Sequence, residues 1–314
     1  MKKYPLLLKP VMKDYLWGGR RLIEDFGFDT DKEIAAEGWM LACHKDGTNT
    51  VINGPLAGKS LDEALTLLGE KKPQDTFPLL IKLIDARDRL SVQVHPEDEY
   101  AYRVEGEPGK TEMWYIVDCE EGATLAYGFK EKLEKAEFRE RIEDNTLDEV
   151  INYVPVKAGD VFFIKAGTLH AIGAGILIAE IQQNSNTTYR VSDYGRLGAD
   201  GKPRELHIDK ALEVTALTPP TLPYGPVGEV SEHSFGRVRT LAECEYFTAK
   251  SVELEGGFGI NSPKFVSLLV LEGYITLTAE EGNITAKKGD SIYIPSSCPV
   301  MISGKGKLIY SVKE

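Results

Sequence analysis

Two segments far apart in the chain carry one pattern. Gly159–His170 (GDVFFIKAGTLH) and Gly289–Val300 (GDSIYIPSSCPV) share the glycine, the aspartate, the apolar alternation after it and the turn that follows. A recurrence of this kind means two related β units. Short apolar runs elsewhere fit the same class: Leu6–Leu8, Glu37–His44, Leu79–Ile84, Glu112–Val117, Ala123–Tyr127, Gly175–Ile181 and the glycine-punctuated stretch 243–314. The charged turn Asp85–Arg89 predicts that Leu79–Ile84 and Ser91–His95 pair as a hairpin. Helical period is confined to three places. Ser60 and Glu63 form a capping pattern ahead of residues 64–68, two short amphipathic helices interrupted near Asn145 occupy residues 130–154, and a last helix covers Ile208–Val214.

With no regular βα alternation, the fold expected is all-β: two cupin-like jelly-roll units with a small helical insert and short additional helices. Residues 1–217 make the first unit, with the insert at about 130–154; a proline-rich linker covers 218–228, and residues 229–314 make the second unit. At 314 residues both can bury a core. A net charge of −12 argues against a nucleic-acid partner, which needs a clustered basic surface. It leaves room for one small phosphorylated ligand, which two or three local donors can hold. No apolar run is long enough to cross a membrane, and Lys9 and Pro10 interrupt the N-terminal leucines too early for an export signal. Four scattered cysteines without a C-x-x-C point to the reducing cytoplasm. The expected assembly is a monomer or homodimer. Gly54–Ser60 (GPLAGKS) imitates a phosphate-binding loop but is one residue short and contains Pro55.

The chemistry concentrates in Leu90–His95. Period-2 alternation puts Ser91, Gln93 and His95 on one strand face, an unusual set for a face turned to water. Gln93, His95, Glu112 and His170 together offer an amide oxygen, two imidazoles and a carboxylate, a donor set that suits Zn²⁺ and leaves a position for water or substrate. Gly159–His170 resembles the second cupin motif, with Lys165 in place of its proline. In the other copy Val300 stands where His170 does, so only the first unit can hold an ion. His44, His207 and His233 lie outside any motif and read as structural.

Three further stretches carry a closer resemblance: Ser91–Asp98 (SVQVHPED), Gly109–Tyr115 (GKTEMWY) and Asn184–Gly195 (NSNTTYRVSDYG), together with Trp17-Gly-Gly. In order and spacing they resemble the type I mannose-6-phosphate isomerases in their short bacterial form. Ala36–Trp39 (AEGW) departs from that family's usual Gly-Glu-Ser-Trp. The resemblance implies a zinc-dependent, reversible conversion of mannose 6-phosphate to fructose 6-phosphate through a metal-stabilised cis-enediolate in a cupin barrel. It puts Gln93, His95, Glu112 and His170 at the metal positions, Ser91 and Lys110 on the phosphate side and Arg190 at the catalytic arginine. Zn²⁺ acting as Lewis acid and Arg190 as planar clamp would both stabilise enediolate oxygens.

A base is also required. Glu180, on an apolar strand between His170 and Arg190, is the candidate, with burial expected to raise its pKa; the alternative is a buried carboxylate that orients Arg190 or a lysine. Two rival functions use the same residues: an Fe²⁺ cupin oxygenase, against which Gln93 stands where a histidine is usual, and a non-catalytic sugar-phosphate-binding cupin.

Overall fold

The computed structural model describes residues 1–72, 76–198, 201–221 and 224–313. Two antiparallel sheets build the body that carries the site. The first runs in the order Val161–Ile164, Glu112–Cys119, Ile176–Gln183, Leu79–Ala86, Glu37–Leu41, Val11–Lys13. The second runs Ile151–Pro155, Thr124–Phe129, His170–Ala171, Val92–Val94, Tyr189–Ser192. Alternation decides which way each side chain faces. Ile84, Trp114, Ile116, Ile176 and Ile178 of the first sheet share one buried cluster with Leu125, Tyr127 and Ile172 of the second, so the two sheets pack face to face.

The opposite residues of each strand serve different layers. Ile81, Leu83, Met113, Tyr115, Ala179 and Ile181 join a second cluster with Leu6, Leu269 and Tyr293. Val92, Val94 and Val191 pack under Phe138, Ile142, Ala211 and Leu212 of the helices Lys135–Glu143 and Ile208–Val214.

The expected Leu79–Ile84 to Ser91–His95 hairpin does not form. Strand Leu79–Ala86 pairs with Ile176–Gln183 and Glu37–Leu41, whereas Val92–Val94 pairs with His170 and with Tyr189–Ser192 in the facing sheet. The turn Arg87–Arg89 therefore carries the chain across the sandwich, and both strands bury their apolar residues against different layers. The capping box is present: Ser60 Oγ accepts from the Glu63 amide at the start of helix Leu61–Leu67. In the insert, helix Lys135–Glu143 ends before Asn145, which adopts φ +56°, but Ile151–Pro155 is a strand and not helix. Residues 218–221 and 224–228 form no helix and only Leu222 and Pro223 of the expected linker lie outside the described residues.

The C-terminal strands form a nine-stranded sheet that also takes in Leu6–Lys9, paired with Ser291–Ile294, and Thr50–Val51. The sequence repeat recurs as structure. Gly159 (φ +92°) and Gly289 (φ +91°) make the same turn, closed by Asp160 on the Lys157 amide and by Asp290 on the Lys287 amide. Among the described residues no helix is long and apolar enough to cross a membrane.

The Trp17-Gly-Gly corner has a steric reason. A Cβ on Gly18 would lie 2.4 Å from the Ala36 Cβ and 2.5 Å from its Cα. One on Gly19 would meet the Asp85 carboxylate, which binds the Arg21 amide and Nε at 2.9 and 2.8 Å. Gly18→Ala should therefore destabilise the protein by ~1–3 kcal/mol, because the opposing atoms are the Ala36 backbone and its fixed Cβ, which cannot swing away. Urea unfolding measures it; an unchanged midpoint would show that the corner relaxes freely.

Candidate metal centre and substrate cavity

The two facing sheets meet at a cluster of ligand-capable groups. Glu112 opens the strand Glu112–Cys119 of one sheet; His170 belongs to the other, and His95 follows its strand Val92–Val94. One ligand atom from each of His95, Glu112 and His170 lies within 4.8 Å of the others, and all three residues are buried. His95 Nε2 and His170 Nε2 are 3.1 Å apart, and Glu112 approaches them at 3.7 and 3.4 Å. Gln93, directly opposite His170 across the ladder, brings its side-chain amide to 3.4 Å from His170 Nε2.

These residues fit a divalent cation on their own evidence. His170 Nδ1 lies 2.8 Å from the Thr168 carbonyl and so carries the ring proton, which turns the Nε2 lone pair inward. Glu112 Oε2 has the Lys110 ammonium at 3.2 Å, but the equally buried Oε1 has no hydrogen-bond donor and faces His170 Nε2 at 3.4 Å. Lys110 meets only the His95 and Glu112 Oε2 side of the cluster, and a cation between the His170 Nε2 lone pair and Glu112 Oε1 would relieve the repulsion that remains. Burial and the nearby Lys110 charge hold His95 well below the ordinary histidine range. Burial likewise takes His170 to about 4. Neutral imidazole is the form that ligates.

A pH dependence follows for the metal-free protein. In the unfolded chain both histidines protonate near pH 6.5, whereas in the fold they stay neutral to lower pH, so the unfolded state binds more protons and acid favours it. Stability should fall as pH drops from 6.5 toward 4, by roughly 3 kcal/mol from His170 alone. Thermal melts of chelator-treated protein at pH 7 and pH 5 measure this, and equal midpoints would contradict it.

Next to the triad lies a cavity of about 210 Å³. Ser91, Gln93, Lys110, Glu180 and Arg190 all line it, as do Lys82 and Glu37. Lys110 is buried, with its ammonium 3.1 Å from His95 Nε2 and 3.2 Å from Glu112 Oε2, at the ion end of the cavity. Arg190 faces Gln93 in register. Its backbone is held at both ends by His207, whose Nδ1 accepts from the Arg190 amide and whose amide donates to the Arg190 carbonyl. His207, read from sequence as structural, is thus the support of a cavity residue.

Glu180 is where sequence and structure part. It stands directly opposite Lys82 on one side and Trp114 on the other, and it pairs with the Lys82 ammonium at 3.1 Å while accepting from Trp114 Nε1 at 2.8 Å. Burial pushes its pKa up, but the charges of Lys82 and Lys110 and the Trp114 hydrogen bond outweigh it and hold the carboxyl well below the usual range. The expected raised pKa is therefore corrected. In Glu112 burial and the Glu180 charge win instead, and its pKa rises. Lys82 was missed because it was taken as part of an apolar run. A lone lysine inside the apolar run Leu79–Ile84 is the sequence signal for a carboxylate partner, although only strand pairing shows which carboxylate that is.

A family model described as "Phosphomannose isomerase type I, catalytic domain" matches residues 6–123, and one for the "Mannose-6-phosphate isomerase, cupin domain" matches residues 237–313. A mannose-6-phosphate isomerase of Bacillus subtilis is 42% identical over 94% of each chain, and one of Streptococcus mutans is 38% identical over 93% of each. This chain belongs to the mannose-6-phosphate isomerase family. The crystal structure of the mannose 6-phosphate isomerase from Bacillus subtilis superposes with a TM-score of 0.90 at 36% identity, covering 99% of both chains. A Salmonella typhimurium phosphomannose isomerase shares the fold, with a TM-score of 0.75 at 17% identity. The family match goes to the isomerase and to neither rival function.

Proposed function

We propose that this chain interconverts mannose 6-phosphate and fructose 6-phosphate, with Zn²⁺ held by His95, Glu112 and His170 and with Gln93 as a fourth donor. The observation that carries the reading is the buried two-imidazole, one-carboxylate cluster opening on a cavity that also contains Lys110, Glu180 and Arg190. Nitrogen and oxygen donors in this number suit zinc and leave coordination positions free. When bound, such an ion supplies Lewis acidity toward the oxygens on the two carbons between which the carbonyl moves.

The protein's own groups do the rest. Glu180 is assigned as proton acceptor: it takes the proton from C2 of the open-chain aldose and returns it to C1, while a hydroxyl proton crosses from O2 to O1. Its depressed pKa keeps it ionised throughout the physiological range, and Lys82 fixes its position. Arg190 directs guanidinium N–H groups at the developing negative oxygens, and Lys110, beside the ligand carboxylate, adds positive charge at the same end. Ser91 serves the phosphate side; Lys110, expected beside it there, has its ammonium against His95 and Glu112 instead. Residues 1–217 are read as the catalytic unit and 229–314 as the unit without ligands. Cytoplasmic residence fits four scattered cysteines with no C-x-x-C among them.

A coupled assay following fructose 6-phosphate formation, with and without chelator, tests the whole reading. Activity lost on chelation and restored by Zn²⁺ is expected; full-rate isomerisation by metal-free protein, or none by the loaded protein, would overturn it.

A further inference from the structure

The strand that carries Glu112 begins at that residue. Gln182 and Ile164 are its partners there, and Gly109–Thr111 lie beyond the end of the ladder. All three are buried, so their amides need acceptors that strand pairing does not supply. Each has one. The Gly109 amide donates to Asp98 Oδ1 at 2.7 Å, the Lys110 amide to the Pro96 carbonyl at 3.1 Å, and the Thr111 amide to Gln183 Oε1 at 2.8 Å.

Two of these acceptors are joined. Gln183 Nε2 donates to the same Asp98 Oδ1 at 2.9 Å. One half-buried carboxylate, at the start of helix Asp98–Val104, therefore holds the chain on both sides of Lys110, directly at Gly109 and through Gln183 at Thr111. The two segments touch. A Cβ on Gly109 would lie 2.6 Å from the Asp98 nitrogen and 2.9 Å from the Pro96 carbonyl oxygen, so only glycine fits between them. From the C-terminal unit the Tyr246 hydroxyl, whose pKa burial and the Asp98 charge both raise, faces the same carboxylate.

The knot reaches all three members of the triad. Pro96 follows His95 and Thr111 precedes Glu112. The turn before His170 hangs on both, since the Ala166 amide donates to Thr111 Oγ1 at 3.3 Å and the Gly167 amide to the His95 carbonyl at 2.8 Å. Neither Asp98 nor Gln183 lines the cavity, so whatever they contribute passes through the residues they hold.

We infer that Asp98 is a positioning residue for the metal centre: through Gly109 and Gln183 it sets the backbone that presents Lys110 and Glu112 to His95. This deepens the isomerase reading and rests on it for any effect on rate. A carboxamide oxygen can accept the same two hydrogen bonds, so the clamp requires the acceptor and not the charge.

The test uses the full chain loaded with Zn²⁺, or with Co²⁺ as a visible probe. Asp98→Ala should weaken Zn²⁺ retention and lower kcat for mannose 6-phosphate, each by about ten- to a hundredfold, the cost typical of losing a group that holds ligands in place. The loss should fall on kcat more than on KM, and the visible absorption of the Co²⁺ form should change. Asp98→Asn should restore all of these. Hydrogen exchange of the metal-free protein reads the clamp itself: the Lys110 and Thr111 amides keep their own acceptors, yet should exchange faster in Asp98→Ala relative to the core strand Leu79–Ala86. Should Asp98→Ala fail to fold, Asp98→Glu carries the same test, because one added methylene displaces the acceptor; metal retention and kcat should then fall severalfold. A lower melting temperature with unchanged spectrum, metal retention and kcat would overturn the proposal, as would an Asp98→Asn protein as impaired as Asp98→Ala. If the wild type binds no divalent ion or does not isomerise mannose 6-phosphate, the isomerase reading fails separately. Exchange then decides the clamp: faster Lys110 and Thr111 amides in the variant support it, and equal rates end it.

Discussion

Glu112→Gln should leave a folded protein that no longer retains a divalent ion and isomerises mannose 6-phosphate about 10³-fold more slowly. The substitution keeps the volume of the side chain and removes the only formal negative charge in the donor set. In the metal-free fold Glu112 is buried, with Lys110 beside Oε2 at 3.2 Å and with Oε1 facing the His170 Nε2 lone pair at 3.4 Å. A glutamine amide can donate to that nitrogen, but the buried Lys110 ammonium loses its 3.2 Å carboxylate partner, so the metal-free variant should be less stable than metal-free wild type. Added Zn²⁺ separates the two: it should raise the melting temperature of the wild type, which binds it in the folded state only, and leave the variant unchanged. Metal analysis after dialysis, steady-state kinetics and the two melts together check the prediction. Wild-type zinc retention by the variant would remove Glu112 from the ligand set.

Glu180→Gln should lower kcat by ~10²–10⁴-fold with metal content unchanged, the range expected when a positioned proton acceptor is lost. Lys82 complicates the reading, because a buried ammonium loses its 3.1 Å partner and keeps only Glu37 at 3.8 Å. The comparison that isolates the chemistry is Lys82→Met. If Glu180 only orients Lys82, the two variants should lose activity equally. If Glu180 takes the proton, its own substitution should cost far more. A Glu180→Gln rate within tenfold of wild type would sink the proton-acceptor role.

Period-2 alternation was enough to read Ser91, Gln93 and His95 onto one face, and the repeated glycine–aspartate turn was enough to place His170, because both patterns are local. Glu112 was found through its motif. The parts not legible depend on which strands become neighbours. Strand Leu79–Ala86 reads as an apolar run until Glu180, about a hundred residues on, and Glu37, about forty-five residues back, are brought beside Lys82 by strand pairing. The fall in the Glu180 pKa has the same origin. Burial alone, visible in the sequence, pushes it up; the cross-strand lysine that reverses the sign is not visible there. The hairpin expectation failed likewise, since a charged turn between two apolar strands fits a crossing between sheets as well as a hairpin within one. Arg204, in a loop with no period, reaches the lining of the cavity only in three dimensions.

The most direct measurement is anomalous diffraction at the zinc edge from crystals grown with Zn²⁺. One peak is expected between the sheets, about 2.0–2.2 Å from His95 Nε2, His170 Nε2 and a Glu112 carboxylate oxygen. Zinc density elsewhere, with no peak between these three side chains, would contradict the account.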